Sequence, residues 1–442
     1  MSDTLEDIQE ALKKVLEEDH REALVKRVPR PSFIAELLAH PMYSLASRIT
    51  VEHFKAVAHC RAVCTQDLNW TAVLRSIGVS QRLAVVCRGH LSALLVQKLI
   101  CSPSKPQHST SVISQRHFLG LKSLDAKCVS TLKGHSHWVR SAAFHPSKPF
   151  LVTGSSDGTF KLWHMNADLS ATTCIFTQEG HVGGINSVAF HPSGDFLATG
   201  GDDGNAKVWR LGTNYCSVTC VSMLQEHSES VSSVAFHPSG DFLATGSFDK
   251  TAKVWNLKAG WGDPKCIFTL KEHSEWVFSV AFDPSGDFLA TGSRDKTAKV
   301  WDLKAGCGDL KSISTLKGHV GFIYSVAFHP YAPYLATSGQ DTTTKLWDLS
   351  ANYGNPTCVS TLQVQGHSSS VNSIAFHSSG NFLVTGSSDN TAKLWELNAD
   401  CSNPRYIYTL KGHSGSIMNV TFHPFMSRIV TCCSDFTAKL WE

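Results

Sequence analysis

The chain has 442 residues, 42% hydrophobic and 17% charged, with a formal net charge of +3. That balance describes a globular chain able to bury a substantial core and excludes a low-complexity or highly charged disordered one. Residues 1 to 126 hold 16 Lys/Arg against 12 Asp/Glu and the remainder 24 against 25, so the larger part carries no basic footprint for nucleic acid.

The chain starts Met1-Ser2-Asp3-Thr4-Leu5-Glu6-Asp7, acidic and without the apolar run of a secretory signal or the basic character of a mitochondrial presequence. Leu5, Ile8, Leu12, Val15 and Leu16 recur at helical spacing behind a Ser2 or Thr4 cap, which predicts an amphipathic helix over 3–27, ended by Pro29 and Pro31. Further helical patterns fall around 33–39, 51–64, 69–76 and 80–101. Leu83 to Ile100 is interrupted by Arg88, His90 and Lys98 and so reads as a buried helix rather than a membrane span. Residues 1–101 are expected to form a small helical module. Residues 102–126, rich in Ser and Pro from Ser102 to Ser114, read as a linker. Between residues 61 and 122 eight Lys/Arg accompany the single acid Asp67, a spread that a solvated helical face explains without a polyanion. The stretch Ile34-Ala35-Glu36-Leu37-Leu38 through Cys60-Arg61-Ala62-Val63-Cys64 to Trp70 resembles an F-box, lacking its Leu-Pro opening and with a stretched Cys-to-Trp spacing. That resemblance implies an alternative function as the substrate-receptor subunit of a cullin-type ubiquitin ligase.

From Lys127 onward one unit is written seven times. Trp163, Trp209, Trp255, Trp301, Trp347, Trp395 and Trp441 are spaced 46 residues apart, with 48 before Trp395. In the fourth copy short β-rich runs, Val277 to Phe282, Asp287 to Gly292 and Lys296 to Trp301, are separated by the turn sequences Pro284-Ser285-Gly286-Asp287 and Ser293-Arg294-Asp295-Lys296. A further run, Cys266 to Leu270, precedes His273. Four short strands per copy form a sheet too small to bury its own face, so the copies must stack, and seven such sheets around an axis make a mainly β, seven-bladed propeller over 127–442.

The Gly-His pair, the Asp of the second hairpin turn and the terminal Trp-Asp, as in Gly318-His319, Asp341 and Trp347-Asp348, resemble the WD-repeat family. Closure in that family implies that the N-terminal strand completes the last blade. Lys127 to Leu132 matches Thr357 to Leu362, an outermost strand, whereas the chain stops at Trp441-Glu442 after the third strand of its last copy. An Arg three residues after a blade Trp, typical of propellers that dock to a cullin adaptor, is absent, with Lys304 and Ser350 standing there instead.

Each copy carries a His, a Thr four residues before an Asp, and a Trp six residues after it. The first three sets are His135, Thr153, Asp157, Trp163; His181, Thr199, Asp203, Trp209; and His227, Thr245, Asp249, Trp255. The last four are His273, Thr291, Asp295, Trp301; His319, Thr337, Asp341, Trp347; His367, Thr385, Asp389, Trp395; and His413, Thr431, Asp435, Trp441. A lone His-hydroxyl-carboxylate set would suggest nucleophilic catalysis. Sevenfold repetition points instead to a brace, and in WD-repeat proteins the matching residues form a buried hydrogen-bonded network. The chain is therefore read as non-catalytic and without a cofactor.

Thirteen of the 22 His occupy repeated positions on different blades, including His145, His191, His237, His329, His377 and His423 of the first hairpin turn. Five of the 14 Cys, namely Cys128, Cys174, Cys220, Cys266 and Cys358, stand at equivalent outer-strand positions. Cys60 and Cys64 lack a partner pair at zinc spacing, and Cys432 and Cys433 are adjacent in a strand, so no metal or disulfide framework is expected. Unpaired thiols favour a reducing compartment, the cytosol first and the nucleus second.

Partner recognition is expected on the rim where inter-blade loops and second hairpin turns emerge. Three positions per copy report on it: the third and fifth residues after the His, and the residue before the Asp. Copies three to five supply Phe248, Trp276, Phe278, Arg294, Phe322 and Tyr324 on one arc; copy one adds Trp138 and Arg140, and copy seven Met418. Clustered aromatics and Arg dominate binding hot spots. They predict a protein or peptide site whose ligand offers an apolar or cationic anchor, unless the rings only line the channel and pack on one another. The two extra residues of copy six, within Gln363-Val364-Gln365, enlarge the same rim, and Trp261 on the opposite rim is a second candidate contact. The expected role is a protein-binding scaffold, part of a multi-subunit complex, with the helical module as a second docking surface.

Overall fold

The computed structural model describes residues 126–442, apart from 167–171, 214, 259, 263, 306–309, 351–354 and 364–365. The helical module of 1–101, the F-box-like stretch, nearly all of the linker and most of the copy-six insertion lie outside these residues.

Seven four-stranded antiparallel sheets form the described region. Blade four shows the pattern: inner strand Val277–Phe282, then Phe288–Ser293 and Thr297–Asp302, then outer strand Ser312–Lys317. Alternation in the third strand turns Ala298 and Val300 to the core shared with blade five and Trp301 to the core shared with blade three. Inner strands of successive blades lie against one another, and blade seven's Ile417–Phe422 lies against blade one's Val139–Phe144, so the ring is closed. The outer strand of blade seven is Cys128–Leu132, paired antiparallel with Ala438–Trp441.

The apolar cores sit between blades. Ala244, Val254, Phe268 and Leu270 of blade three meet Val277, Val280, Leu289 and Trp301 of blade four. No blade can bury these side chains alone, which couples the stability of neighbours. A close approach is required at the glycine of the second strand. A methyl group on Gly292 would sit 2.9 Å from both Ile323 Cγ2 and Val326 Cγ1 of the next blade. Gly292→Ala is therefore expected to cost ~1–3 kcal/mol, read as a lower urea midpoint with unchanged binding. In blade seven the position is Cys432, and the residue it meets across the seam is the smaller Ala142 where the other interfaces have Val or Ile.

Polar ties reinforce each interface. Ser141, Ser187, Ser233, Ser279, Ser325 and Ser373 each accept a hydrogen bond from a backbone N–H of the next inner strand, at 3.1–3.3 Å. At the seam Asn419 Oδ1 accepts from Ala142 N at 3.2 Å. On the opposite rim the Nε2 atoms of His191, His237 and His329 each lie 3.1 Å from a glycine carbonyl of the next blade, Gly240, Gly286 and Gly380. Trp261 stacks on Phe196 of the preceding blade with centroids 3.9 Å apart, and Tyr215 on Phe150 at 4.4 Å. Trp261 is thus engaged with its neighbour and half-buried.

Burial lowers His145, His329, His377 and His423 to about 4, with nearby Lys148 and Arg428 adding to the effect at His145 and His423. An unfolded His binds its proton near pH 6.5, so the unfolded chain takes up more protons between that pH and 4. The stability from keeping these rings neutral is complete above about pH 6.5 and is lost as pH falls towards 4. Thermal midpoints across that interval should fall steeply, and a flat profile would contradict the buried neutral state.

Candidate functional site

The His-Thr-Asp-Trp set is assembled identically in all seven blades. His Nδ1 lies 2.7–2.9 Å from the Asp carboxylate. His Nε2 lies 2.7–2.8 Å from the Thr hydroxyl. The Trp indole donates to the same hydroxyl oxygen at 2.8–3.1 Å. A carboxylate only accepts, so Nδ1 carries the imidazole hydrogen, Nε2 accepts from the Thr O–H, and the Thr oxygen accepts from Trp. Every member is satisfied.

The carboxylates stay ionised. Burial alone would raise Asp249 and Asp435, but hydrogen bonds from His227 and Thr251, and from Thr437 and His413, hold both at about 2. The connectivity is that of a nucleophilic triad, yet the Thr residues are fully buried, with no path for a substrate to the hydroxyl. Its chemistry is structural. Thr291→Val keeps the shape but strands Trp301 Nε1–H and His273 Nε2, at an expected cost of ~2–4 kcal/mol. A urea midpoint equal to that of the unaltered chain would contradict the brace.

His413, Cys433 and Asp435 bring three metal-ligating atoms within 4.8 Å. Both ring nitrogens of His413 are already engaged, and the Cys433 thiol, raised to about 12 chiefly by burial, donates to Gly415 O at 3.1 Å. Cys433 stands where Ser155, Ser247, Ser293 and Ser387 stand in other blades, so this cluster is one more copy of the brace.

The rim positions acquire their geometry from a β-bulge. In every blade the register between the inner and second strands shifts at the second residue of the inner strand, as between Val277 and Ser279 and between Ile323 and Ser325. The extra residues are Arg140, Asn186, Ser232, Phe278, Tyr324, Asn372 and Met418. A bulge re-aims its side chain, and here it makes a belt around the channel mouth. The polar members tie blades together: Asn186 Nδ2 donates to Val231 O at 3.1 Å, Ser232 Oγ to Val277 O at 2.5 Å and Asn372 Nδ2 to Ile417 O at 2.8 Å. In blades four and five aromatic contact replaces these ties, with Phe278 and Tyr324 centroids 5.1 Å apart. Burial pushes the Tyr324 hydroxyl above its usual range, against the pull of the Arg294 charge.

Six of the nine rim residues form one cluster. Phe248 stacks on Trp276 at 4.5 Å and 14° and meets Phe278 edge-on at 5.7 Å, while Phe278 lies 6.5 Å from Phe322. Arg294 lies over both Trp276, at 4.4 Å, and Phe322, at 5.1 Å. All six are half-buried, so the rings do pack on one another while keeping an open face. The expectation of a cationic anchor does not survive this arrangement, because the faces of Trp276 and Phe322 that would attract one are turned to the chain's own guanidinium.

Trp138 and Arg140 belong to a separate group at the seam. Trp138 is 41% exposed, with the Arg140 guanidinium 5.7 Å away and His137 beside it at 5.4 Å. His137 stacks at 5.6 Å on Phe436, which is 43% exposed and holds φ +67, a conformation strained for a bulky side chain. His137 and Phe436 fall outside the three positions used to read the sequence. The signal for Phe436 was present, an aromatic at a turn position occupied by Gly158 and Gly204 in blades one and two. Met418, on the bulge of blade seven, is half-buried.

The fold and its repeated brace define a seven-bladed β-propeller. The family model described as "WD domain, G-beta repeat" matches residues 126–164, 172–210, 218–256, 264–302, 310–348, 356–396 and 404–442, and the chain belongs to the WD40 family. Proteins of this architecture generally mediate protein–protein interactions. Similar curated proteins include the nuclear distribution protein PAC1 of Gibberella zeae, 44% identical over 41 residues, 9% of each chain. The flagellar WD repeat-containing protein Pf20 of Chlamydomonas reinhardtii is 57% identical over 35 residues, 8% of this chain and 6% of that one. The probable coatomer subunit beta' of Schizosaccharomyces pombe is 49% identical over 37 residues, 8% and 5%. Each match spans less than a tenth of the relative's length. Among the described residues no helix is long and apolar enough to cross a membrane.

Proposed function

We propose that this protein is a non-catalytic scaffold that binds a protein or peptide partner at the channel mouth of blades three to five. The observation that carries the reading is the contiguous cluster of Phe248, Trp276, Phe278, Phe322 and Tyr324 around Arg294, on bulges that aim side chains at the mouth. Elsewhere on the belt Arg140, Asn186 and Asn372 spend their donors on the neighbouring blade; here apolar and cationic surface is left facing water, the composition of a binding hot spot. One similar protein is named as a coatomer subunit, which supports membership of a multi-subunit assembly. Free thiols at Cys174, Cys220 and Cys358, all exposed, fit a reducing compartment and a cytosolic setting.

The test is co-purification with mass spectrometry from native cell extract, using the full chain, the Trp276→Ala/Phe322→Ala variant and a Ser370→Ala/Ser416→Ala control on blades six and seven. Partners retained by the control and lost from the aromatic variant are the expected result. Equal recovery by all three chains would overturn the assignment.

A further inference from the structure

Among the described residues Arg140 and Arg294 reach the channel mouth, and their surroundings differ. Arg140 spends its donors within the ring, on Ser156 Oγ and on Asn186 Oδ1 at 3.0 Å. Arg294 lies between the faces of Trp276 and Phe322, and among the described residues its guanidinium has no hydrogen-bond acceptor and no ion-pair partner. The nearby acid Glu275 is paired instead with Lys250, at 3.7 Å. Two aromatic faces hold the guanidinium plane in place without consuming its N–H donors, so the fork stays available. The Tyr324 hydroxyl likewise has no hydrogen bond among the described residues.

A fixed, half-buried cation with open donors is completed by an anion, and planar, bidentate donation matches a carboxylate. One guanidinium balances one negative charge. A phosphate, close to doubly charged at neutral pH, would call for a second cation, and the cluster of Phe248, Trp276, Phe278, Phe322 and Tyr324 encloses Arg294 alone. The rings around Arg294 add apolar walls for the residues flanking the anion. We infer that the mouth of blades three to five recognises an acidic linear segment of a partner protein, seating an Asp or Glu carboxylate on Arg294 and an adjacent apolar side chain on the Trp276–Phe322 surface. This inference rests on the reading of that mouth as the partner site.

The experiment pans a library of short random peptides against the full chain, with the Trp276→Ala/Phe322→Ala variant as a parallel target. Affinities of synthetic copies of the enriched sequences are then measured by fluorescence anisotropy. Enriched peptides are expected to carry Asp or Glu beside an aliphatic or aromatic residue and to bind more weakly as salt is raised. Arg294→Gln, checked for an unchanged thermal midpoint, should weaken binding roughly tenfold to a hundredfold. Replacing the peptide's acid by its amide should cause a similar loss on the unaltered chain and almost none on Arg294→Gln. Basic or uncharged peptides that still require Trp276 and Phe322 would overturn the acidic-segment inference and leave the partner site standing. Peptides that bind the aromatic variant equally well would overturn both, and a failure to enrich any peptide would overturn the acidic-segment inference.

Discussion

Deleting residues 127–132 is expected to lower the thermal midpoint more than any single substitution above, and to turn a monodisperse chain into associating species. Cys128–Leu132 pairs with Ala438–Trp441, Lys127 and Glu442 exchange both backbone hydrogen bonds at 3.0 Å, and Lys439 Nζ donates to Thr131 Oγ1 at 3.1 Å. Leu132 is buried in the core between blades seven and one, with Val139 and Trp163. Burying one Leu is worth ~1.5–3 kcal/mol and each hydrogen bond ~0.5–1.5 kcal/mol, so the strand contributes roughly 5 kcal/mol. Against a typical domain stability of ~5–15 kcal/mol that is a large fraction. The loss also bares the edge of Ala438–Trp441, a template for pairing with another chain. Calorimetry with size-exclusion chromatography checks both effects, and an unchanged midpoint with a monodisperse profile would mean that the ring does not depend on this closure.

The second large effect is on binding. Trp276→Ala with Phe322→Ala is expected to reduce partner affinity by ~3–6 kcal/mol, a few hundredfold or more, since aromatic hot-spot residues each contribute ~2 kcal/mol or above. The stability cost should be modest. Both residues are half-buried and stack on Phe248 and Arg294 rather than on the inter-blade core, so aromatic contacts worth ~0.5–1.5 kcal/mol each are lost without opening a cavity. Isothermal titration with a co-purified partner, alongside a urea titration, separates the two quantities. A collapse of stability equal to the loss of affinity would place these rings in the framework instead of the site.

Blade number and the brace were legible because they depend on spacing alone: the Trp period and the fixed offsets of His, Thr and Asp survive without any coordinate. The role of residues 127–132 could be read from their likeness to Thr357–Leu362, and the structure pairs them with the last strand. The bulge was not legible, since an extra residue present in all seven copies leaves no irregularity in the repeat. Nor was the use of the Trp276 and Phe322 faces, because Arg294 reaches one ring in its own blade and another in the next, a contact set by blade packing. The seam group of His137, Trp138 and Phe436 was half-seen for a related reason: its members come from opposite ends of the described region and meet only when the ring closes.

Amide hydrogen exchange on a co-purified complex tests the central claim most directly, comparing free and bound chain segment by segment. Partner recognition at the mouth of blades three to five predicts slowed exchange in the loops and bulges bearing Phe248, Trp276, Phe278, Arg294, Phe322 and Tyr324, with blades six and seven unchanged. Protection confined to the outer strands, to the opposite rim around Trp261 or to residues 1–101, with these loops exchanging as in the free chain, would contradict it.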